Sequence, residues 1–124
     1  MAKYKYLNVN PDNVKESDCV TRAITLVSNL PYEEVRKKLF HTARLLNCTK
    51  LCVCCYRFLI EKVLNYKPVN CDYMTVGEFA DKNPYGRYLV RMNGHISSII
   101  DGCVYDTFDA RNLLLTDAWE ATKG

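Results

Sequence analysis

The chain has no long hydrophobic run and no strong excess of charge of one sign. No stretch approaches the roughly 18 apolar residues of a transmembrane helix, and the opening MAKYKY lacks the apolar segment of a secretory signal. The formal charge is +3, and the basic residues are scattered rather than clustered. We therefore expect a soluble, cytoplasmic protein whose partners include no membrane and no nucleic acid.

The composition also lacks the signs of disorder or of a disulfide framework. The 124 residues are 48% hydrophobic and 25% charged, which is ordinary for a soluble globule. We expect a single domain over residues 1–124. The seven cysteines are an odd number without a secretory signal, so we expect reduced thiols, at least one of them unpaired in a monomer.

Helix signals dominate the first two thirds of the chain. A capping box formed by Thr75 and Glu78 predicts a short helix that ends before Pro84. Three longer helices are predicted from apolar residues at helical spacing, with Pro31 separating the first two. Their expected ranges are 18–28, 32–45 and 55–64.

Strand signals dominate the last third. Asn-Gly at residues 93–94 and Asp-Gly at residues 101–102 are strong hairpin signals. They predict an antiparallel meander, completed by a strand around 115–121, whose first three strands are 87–92, 95–100 and 103–107. Residues 4–9 are expected as a short strand or extended arm, and residues 67–70 as a turn.

Cys19 is notable because it falls on the first turn of a predicted helix. Asp18 stands before the apolar run, as is typical of an N-cap. Unpaired N–H groups and the positive end of the helix dipole favour a thiolate there, which lowers the thiol pKa. The position suits a catalytic nucleophile, although a small core residue is the alternative. A nucleophile also needs a base.

Two histidines could supply that base. His41 shares its predicted helix face with charged residues, so we expect it to face solvent. His95 follows the Asn-Gly turn at the exposed end of its strand, where a ring nitrogen can meet a group from another element. We therefore favour His95.

The second hairpin supplies a carboxylate for His95. A two-residue turn at residues 101–102 fixes the register, and Asp109 then points to the opposite face from Asp106. Asp106 can hydrogen-bond the imidazole and fix its tautomer. The predicted triad is Cys19, His95 and Asp106. The residues expected on the shared face are His95, Ser97, Asp106 and Phe108.

The cluster of close cysteines in the middle of the chain raises the possibility of zinc. Structural zinc sites usually take two ligand pairs from separate segments, and a second pair is missing unless His41 or Cys71 supplies it. We expect the cluster to be reduced and metal-free, and no cofactor is predicted. Its members are Cys48, Cys52, Cys54 and Cys55.

These motifs resemble the papain-like cysteine protease superfamily, and more narrowly the small papain-like proteins encoded by bacteriophages of Gram-positive hosts. The resemblance rests on DCVTRAI at residues 18–24, Gly-His at 94–95, Asp-Gly at 101–102 and YDTFD at 105–109. It implies an α+β fold in which an N-terminal helical half packs on a C-terminal antiparallel β-sheet. It also implies a peptide or protein substrate, a host protein among the candidates, and the host cytoplasm as the location.

The chain departs from the larger papain relatives at the oxyanion site. Their Cys-Gly-Ser-Cys-Trp signature is absent, and Asn13 replaces the glutamine that they carry six residues before the nucleophile. Asn10 in the same loop is a rival donor, and the backbone N–H of Cys19 is a further one. Asp106 also follows the histidine sooner than the asparagine of papain does.

The leading functional hypothesis is a cysteine hydrolase, acting as a peptidase, isopeptidase or amidase through an acyl-enzyme. An amine acceptor would make the same chemistry a transamidase, and a glutamine substrate would make it a deamidase. A second hypothesis is a non-catalytic interaction or inhibitor protein that keeps the scaffold. A third is a small zinc module around the cysteine cluster.

Overall fold

The computed structural model describes residues 2–11, 18–49 and 52–121. Among these residues, three helices follow one another in the first half: α1 (Cys19–Ser28), α2 (Tyr32–Leu46) and α3 (Val53–Phe58). Asn29, in the left-handed region at φ 62°, ends α1, and Pro31 is the N-cap residue of α2. The first two helices match their predicted ranges within one residue.

The third helix differs from the prediction. It begins at Val53, two residues before the expected start, and Leu59–Val63 continues it as a π-helix. The short helix α4 (Val76–Lys82) has both predicted capping-box bonds: Glu78 N–H donates to Thr75 Oγ1 at 3.2 Å, and Thr75 N–H donates to Glu78 Oε1 at 3.0 Å. None of the helices in the described ranges has the length and apolar character needed to cross a membrane.

Within the described ranges, six strands form one sheet in the order β1-β5-β4-β3-β6-β2. The predicted hairpins are present, and Ile100 pairs with Cys103 as the turn at Asp101 and Gly102 requires. Both turn residues have positive φ, 50° and 75°, which suits a two-residue hairpin turn. The strands are β1 (Lys3–Tyr6), β2 (Lys67–Val69), β3 (Arg87–Met92), β4 (His95–Ile100), β5 (Cys103–Asp106) and β6 (Leu115–Glu120).

Two features of the sheet correct the sequence-based expectation. The sheet is mixed rather than antiparallel, because β1 pairs parallel with β5. Parallel neighbours need a long crossover, and no local turn signal announces one. The predicted turn at residues 67–70 contains strand β2, which pairs with β6. Pro68 does not prevent this, because β2 lies at the edge of the sheet.

Both faces of the sheet are covered, and this explains the nearly continuous apolar strands. Leu89 and Trp119 pair across β3 and β6 and belong to a core with α1, α2 and α3. Val90 and Ala118, one position along each strand, belong to a second core with α4. The fold is therefore mixed α+β, with α1 packed against β4, and this packing brings the start of α1 to the start of β4.

Candidate active site

Cys19 is the first residue of α1 and lines a cavity of about 510 Å³. His95, the first residue of β4, lines the same cavity. At the first helical position, the backbone N–H of Cys19 has no acceptor within the helix, and the helix dipole favours negative charge on the sulfur. Other residues around the cavity are Val20, Val53, Tyr56, Arg91, Asn93 and Phe108.

Asp106 holds His95 in one orientation. Nε2 of His95 lies 2.7 Å from Oδ2 of Asp106, and the Thr107 N–H donates to the other carboxylate oxygen at 2.7 Å. The Phe108 ring lies against the imidazole, with ring centroids 4.7 Å apart. Asp106 is only 6% exposed, so this carboxylate is fixed on both oxygens and shielded from water.

The remaining side of the imidazole meets Cys19. Burial raises the pKa of the Cys19 thiol, but hydrogen bonds with the His95 ring and the Ile96 backbone, together with the charges of His95 and Arg22, lower it overall. Burial alone would lower the pKa of His95, yet hydrogen bonds with Asp106 and Cys19 raise it to about 9. Because Asp106 takes Nε2, Nδ1 is the nitrogen left for the sulfur. The arrangement stabilises a Cys19 thiolate that is paired with a His95 imidazolium.

The structure thus brings Cys19, His95 and Asp106 together and leaves the rival residues elsewhere. Asp109 forms an ion pair with Arg111, at 2.7 Å between Oδ2 and Nη2, and not with His95. His41 is exposed on α2, as its charged helix face predicts.

The oxyanion hypotheses have different outcomes. Asn10 is buried, and its amide nitrogen donates to Oδ2 of Asp18 at 2.9 Å and to the Tyr32 hydroxyl at 3.3 Å. Both amide hydrogens are therefore engaged, which corrects the prediction that this side chain serves an oxyanion. Asn13 lies outside the described residues. The third oxyanion donor considered, the backbone N–H of Cys19, belongs to the nucleophilic residue itself.

A buried ionic network at the start of α1 was not predicted from the sequence. Asp18 occupies the N-cap position of α1, as predicted, but its carboxylate makes no capping hydrogen bond. It forms an ion pair with Arg22, one helical turn further on, and accepts a hydrogen bond from the Tyr32 hydroxyl at 2.7 Å. Arg22 also reaches Thr107 Oγ1 at 3.5 Å, beside Asp106. The spacing of four residues between Asp18 and Arg22 was the available signal.

The cysteine cluster offers the one group of potential metal ligands among the described residues. Sγ atoms of Cys48, Cys52 and Cys54 lie within 4.8 Å of one another. Cys55 is buried, and its thiol points to the Leu39 carbonyl oxygen at 3.6 Å. Neither of the additional ligands considered from the sequence, His41 and Cys71, belongs to the group.

Comparison with known proteins adds no relative. No family model matches the chain, and neither the curated proteins nor the solved structures give a match.

The buried ion pair should be important for stability. Arg22→Met keeps the aliphatic stem but leaves the Asp18 carboxylate buried without its cation, so the free energy of unfolding should fall by about 3 kcal/mol. Arg36→Met is the matched control, since its pair with Glu33 is exposed and should be worth no more than about 1 kcal/mol. Urea denaturation measures both. Equal losses would contradict a special role for the buried pair.

The thiolate at Cys19 should be detectable by alkylation. At about pH 6, well below the ordinary thiol pKa of about 8.5, iodoacetamide should modify Cys19 ahead of the other cysteines. His95→Ala should abolish this preference, because the thiol pKa then rises, whereas His41→Ala should leave it unchanged. Peptide mass spectrometry gives the rate at each cysteine. A Cys19 rate that is the same in both variants would exclude His95 as the activating group.

Proposed function

We propose that the chain is a papain-like cysteine hydrolase that cleaves a peptide, isopeptide or amide bond. Cys19 is the nucleophile, His95 the general base and acid, and Asp106 the residue that orients His95. The observation that carries the proposal is that Cys19 and His95 line the same cavity, while Asp106 holds the His95 ring from its other side at 2.7 Å. A histidine on the surface and a cysteine in the core would need no such arrangement.

The reaction would begin with attack of the Cys19 thiolate on the substrate carbonyl carbon. The carbonyl oxygen becomes an oxyanion near the Cys19 N–H, which can donate to it. The His95 imidazolium then gives its proton to the leaving amine, and the C–N bond breaks to leave a thioester on Cys19. Neutral His95 next removes a proton from water, and the resulting attack releases the acid and restores the thiolate.

Asp106 supports each of these steps without reacting. Its hydrogen bond to Nε2 keeps Nδ1 directed at the sulfur, and its charge stabilises the imidazolium. The imidazolium is needed to protonate the leaving amine, so turnover should decrease as pH rises through about 9, where His95 loses its proton. The low-pH limit comes from protonation of the Cys19 thiolate.

The cavity supports a peptide-like substrate. Its volume of about 510 Å³ lies within the range of ligand pockets. Val53 and Phe108 give it an apolar side, while Arg91, held by Asp117 at 2.7 Å, adds a guanidinium. A short extended segment of a polypeptide, including a host protein if the chain is phage-encoded, suits these walls. Transamidation and deamidation use the same residues with another acceptor or substrate.

The order of elements supports the papain-like proposal. The nucleophile begins a helix that packs on the sheet, and the base begins a strand of that sheet. The parallel strand β1 and the edge strand β2 extend this arrangement on either side without displacing the three residues.

A library of peptides with an electrophilic carbonyl or vinyl group in place of the scissile bond tests the proposal. Intact-mass analysis should find one covalent adduct on Cys19, and Cys19→Ala should form none. Asp106→Asn should slow adduct formation at least about tenfold, because the imidazole loses its orienting partner. Asp109→Asn is the matched control and should react at nearly the parent rate.

Two results would contradict the proposal. A folded chain that forms no adduct with any library member would favour a non-catalytic interaction protein on the same scaffold. Adducts spread over several cysteines, and unaffected by Asp106→Asn, would reflect ordinary thiol reactivity instead.

A further inference from the structure

Three thiols from two separate helix ends meet at the surface. Cys48 follows Asn47, the left-handed C-cap of α2, while Cys52 is the N-cap residue of α3 and Cys54 lies on its first turn. Their Sγ atoms lie within 4.8 Å of one another, and those of Cys52 and Cys54 are 2.8 Å apart. Cys54 is exposed, so the group is open to solvent.

The distances suit one cation bound to all three sulfurs after a small movement. Metal–sulfur bonds of about 2.3 Å put the sulfurs of a shared metal roughly 3.8 to 4.0 Å apart. The Sγ atoms of Cys52 and Cys54 are closer than this, at 2.8 Å, and must separate by about 1 Å. The exposed Cys54 side chain has room to rotate outward.

The number of sulfurs argues against a closed structural zinc site. Such sites use four ligands, whereas three sulfurs meet here and the Cys55 thiol is turned to the Leu39 carbonyl. The expectation of a metal-free cluster rested on the missing second ligand pair. Cys48, brought from the end of α2, instead completes a three-sulfur set with Cys52 and Cys54.

We propose that Cys48, Cys52 and Cys54 form an open three-thiolate site for one thiophilic d¹⁰ cation, Cu⁺ or Zn²⁺. Soft thiolate ligands select these ions over hard cations such as Mg²⁺ or Ca²⁺. Each sulfur binds as a thiolate, so the ion displaces the remaining thiol protons and affinity should increase with pH. The site is separate from Cys19, and its existence does not depend on the proposed hydrolase activity.

Metal titration of the reduced, chelator-stripped full chain tests the proposal. Cys19→Ala serves as the parent, so that the Cys19 and His95 pair cannot contribute. Co²⁺, a spectroscopic substitute for Zn²⁺, should give a thiolate-to-cobalt charge-transfer band that saturates at one equivalent and disappears when Zn²⁺ is added. Cu⁺ is tested separately, in competition with a chromogenic Cu⁺ chelator, and the two arms decide which ion the site prefers.

Single serine variants should identify the ligands. Cys48→Ser, Cys52→Ser and Cys54→Ser should each weaken binding at least about tenfold, as even loss of a residue supporting a metal ligand does. Cys71→Ser is the matched control, because Cys71 is a free, buried cysteine outside the cluster, and should bind like the parent. Circular dichroism verifies that each variant is folded.

A second measurement does not depend on the serine variants. One equivalent of the preferred ion should protect Cys48, Cys52 and Cys54 from alkylation in the parent chain and leave the remaining thiols as reactive as before. No binding of either ion, or binding that protects none of these three thiols, would overturn the proposal. A Cys52–Cys54 disulfide that persists in excess reductant would also overturn it, because those two thiolates would not be available.

Discussion

The hydrogen bond between His95 and Asp106 is the interaction on which the account of the site depends. A carboxylate on the other side of the ring stabilises the imidazolium that pairs with a thiolate in a partly buried site. Asp106 does this from 2.7 Å, while the Thr107 N–H holds its second oxygen. Each participant occupies the end of an element: Cys19 begins α1, His95 begins β4 and Asp106 ends β5. If any of these elements began or ended at another residue, the three groups would no longer lie together.

The ionic network around Asp18 fixes the start of α1. Asp18 lies directly before Cys19, and its carboxylate contacts Arg22, Asn10 and Tyr32. Burying both charges costs desolvation energy that offsets much of their attraction. We therefore interpret the network chiefly as a means of orientation. It joins the start of α1 to α2 through Tyr32 and to the segment after β5 through Arg22 and Thr107.

Much of the site could be predicted because local sequence signals determine it. The Asp-Gly turn fixes the register of β4 and β5, and that register puts Asp106 rather than Asp109 on His95. The start of α1 follows from the apolar spacing after Asp18. These signals involve residues near one another in the chain, where turn chemistry and helical periodicity have direct physical meaning.

The features that were missed depend on contacts between distant segments. The parallel pairing of β1 with β5 joins residues about a hundred positions apart and has no turn signature. Asp18 is the N-cap residue as expected, but its carboxylate makes no capping hydrogen bond, because Tyr32 and Arg22 offer it stronger partners inside the fold. The sequence does not show that the Asn10 amide has buried partners. Asn10 was therefore included among the candidate oxyanion donors. For the same reason the sequence does not reveal how Cys48 meets Cys52 and Cys54.

Titration of the His95 ring by NMR tests the central claim most directly. The chain has two histidines, so His41→Ala identifies which signal belongs to His95. We predict a His95 pKa of about 9 in the parent chain. That pKa should be lower in Cys19→Ala and lower still in Asp106→Asn, since the hydrogen bond with Asp106 is the larger of the two raising effects. A parent value near the ordinary histidine pKa of about 6.5, or a value that neither substitution changes, would contradict the account.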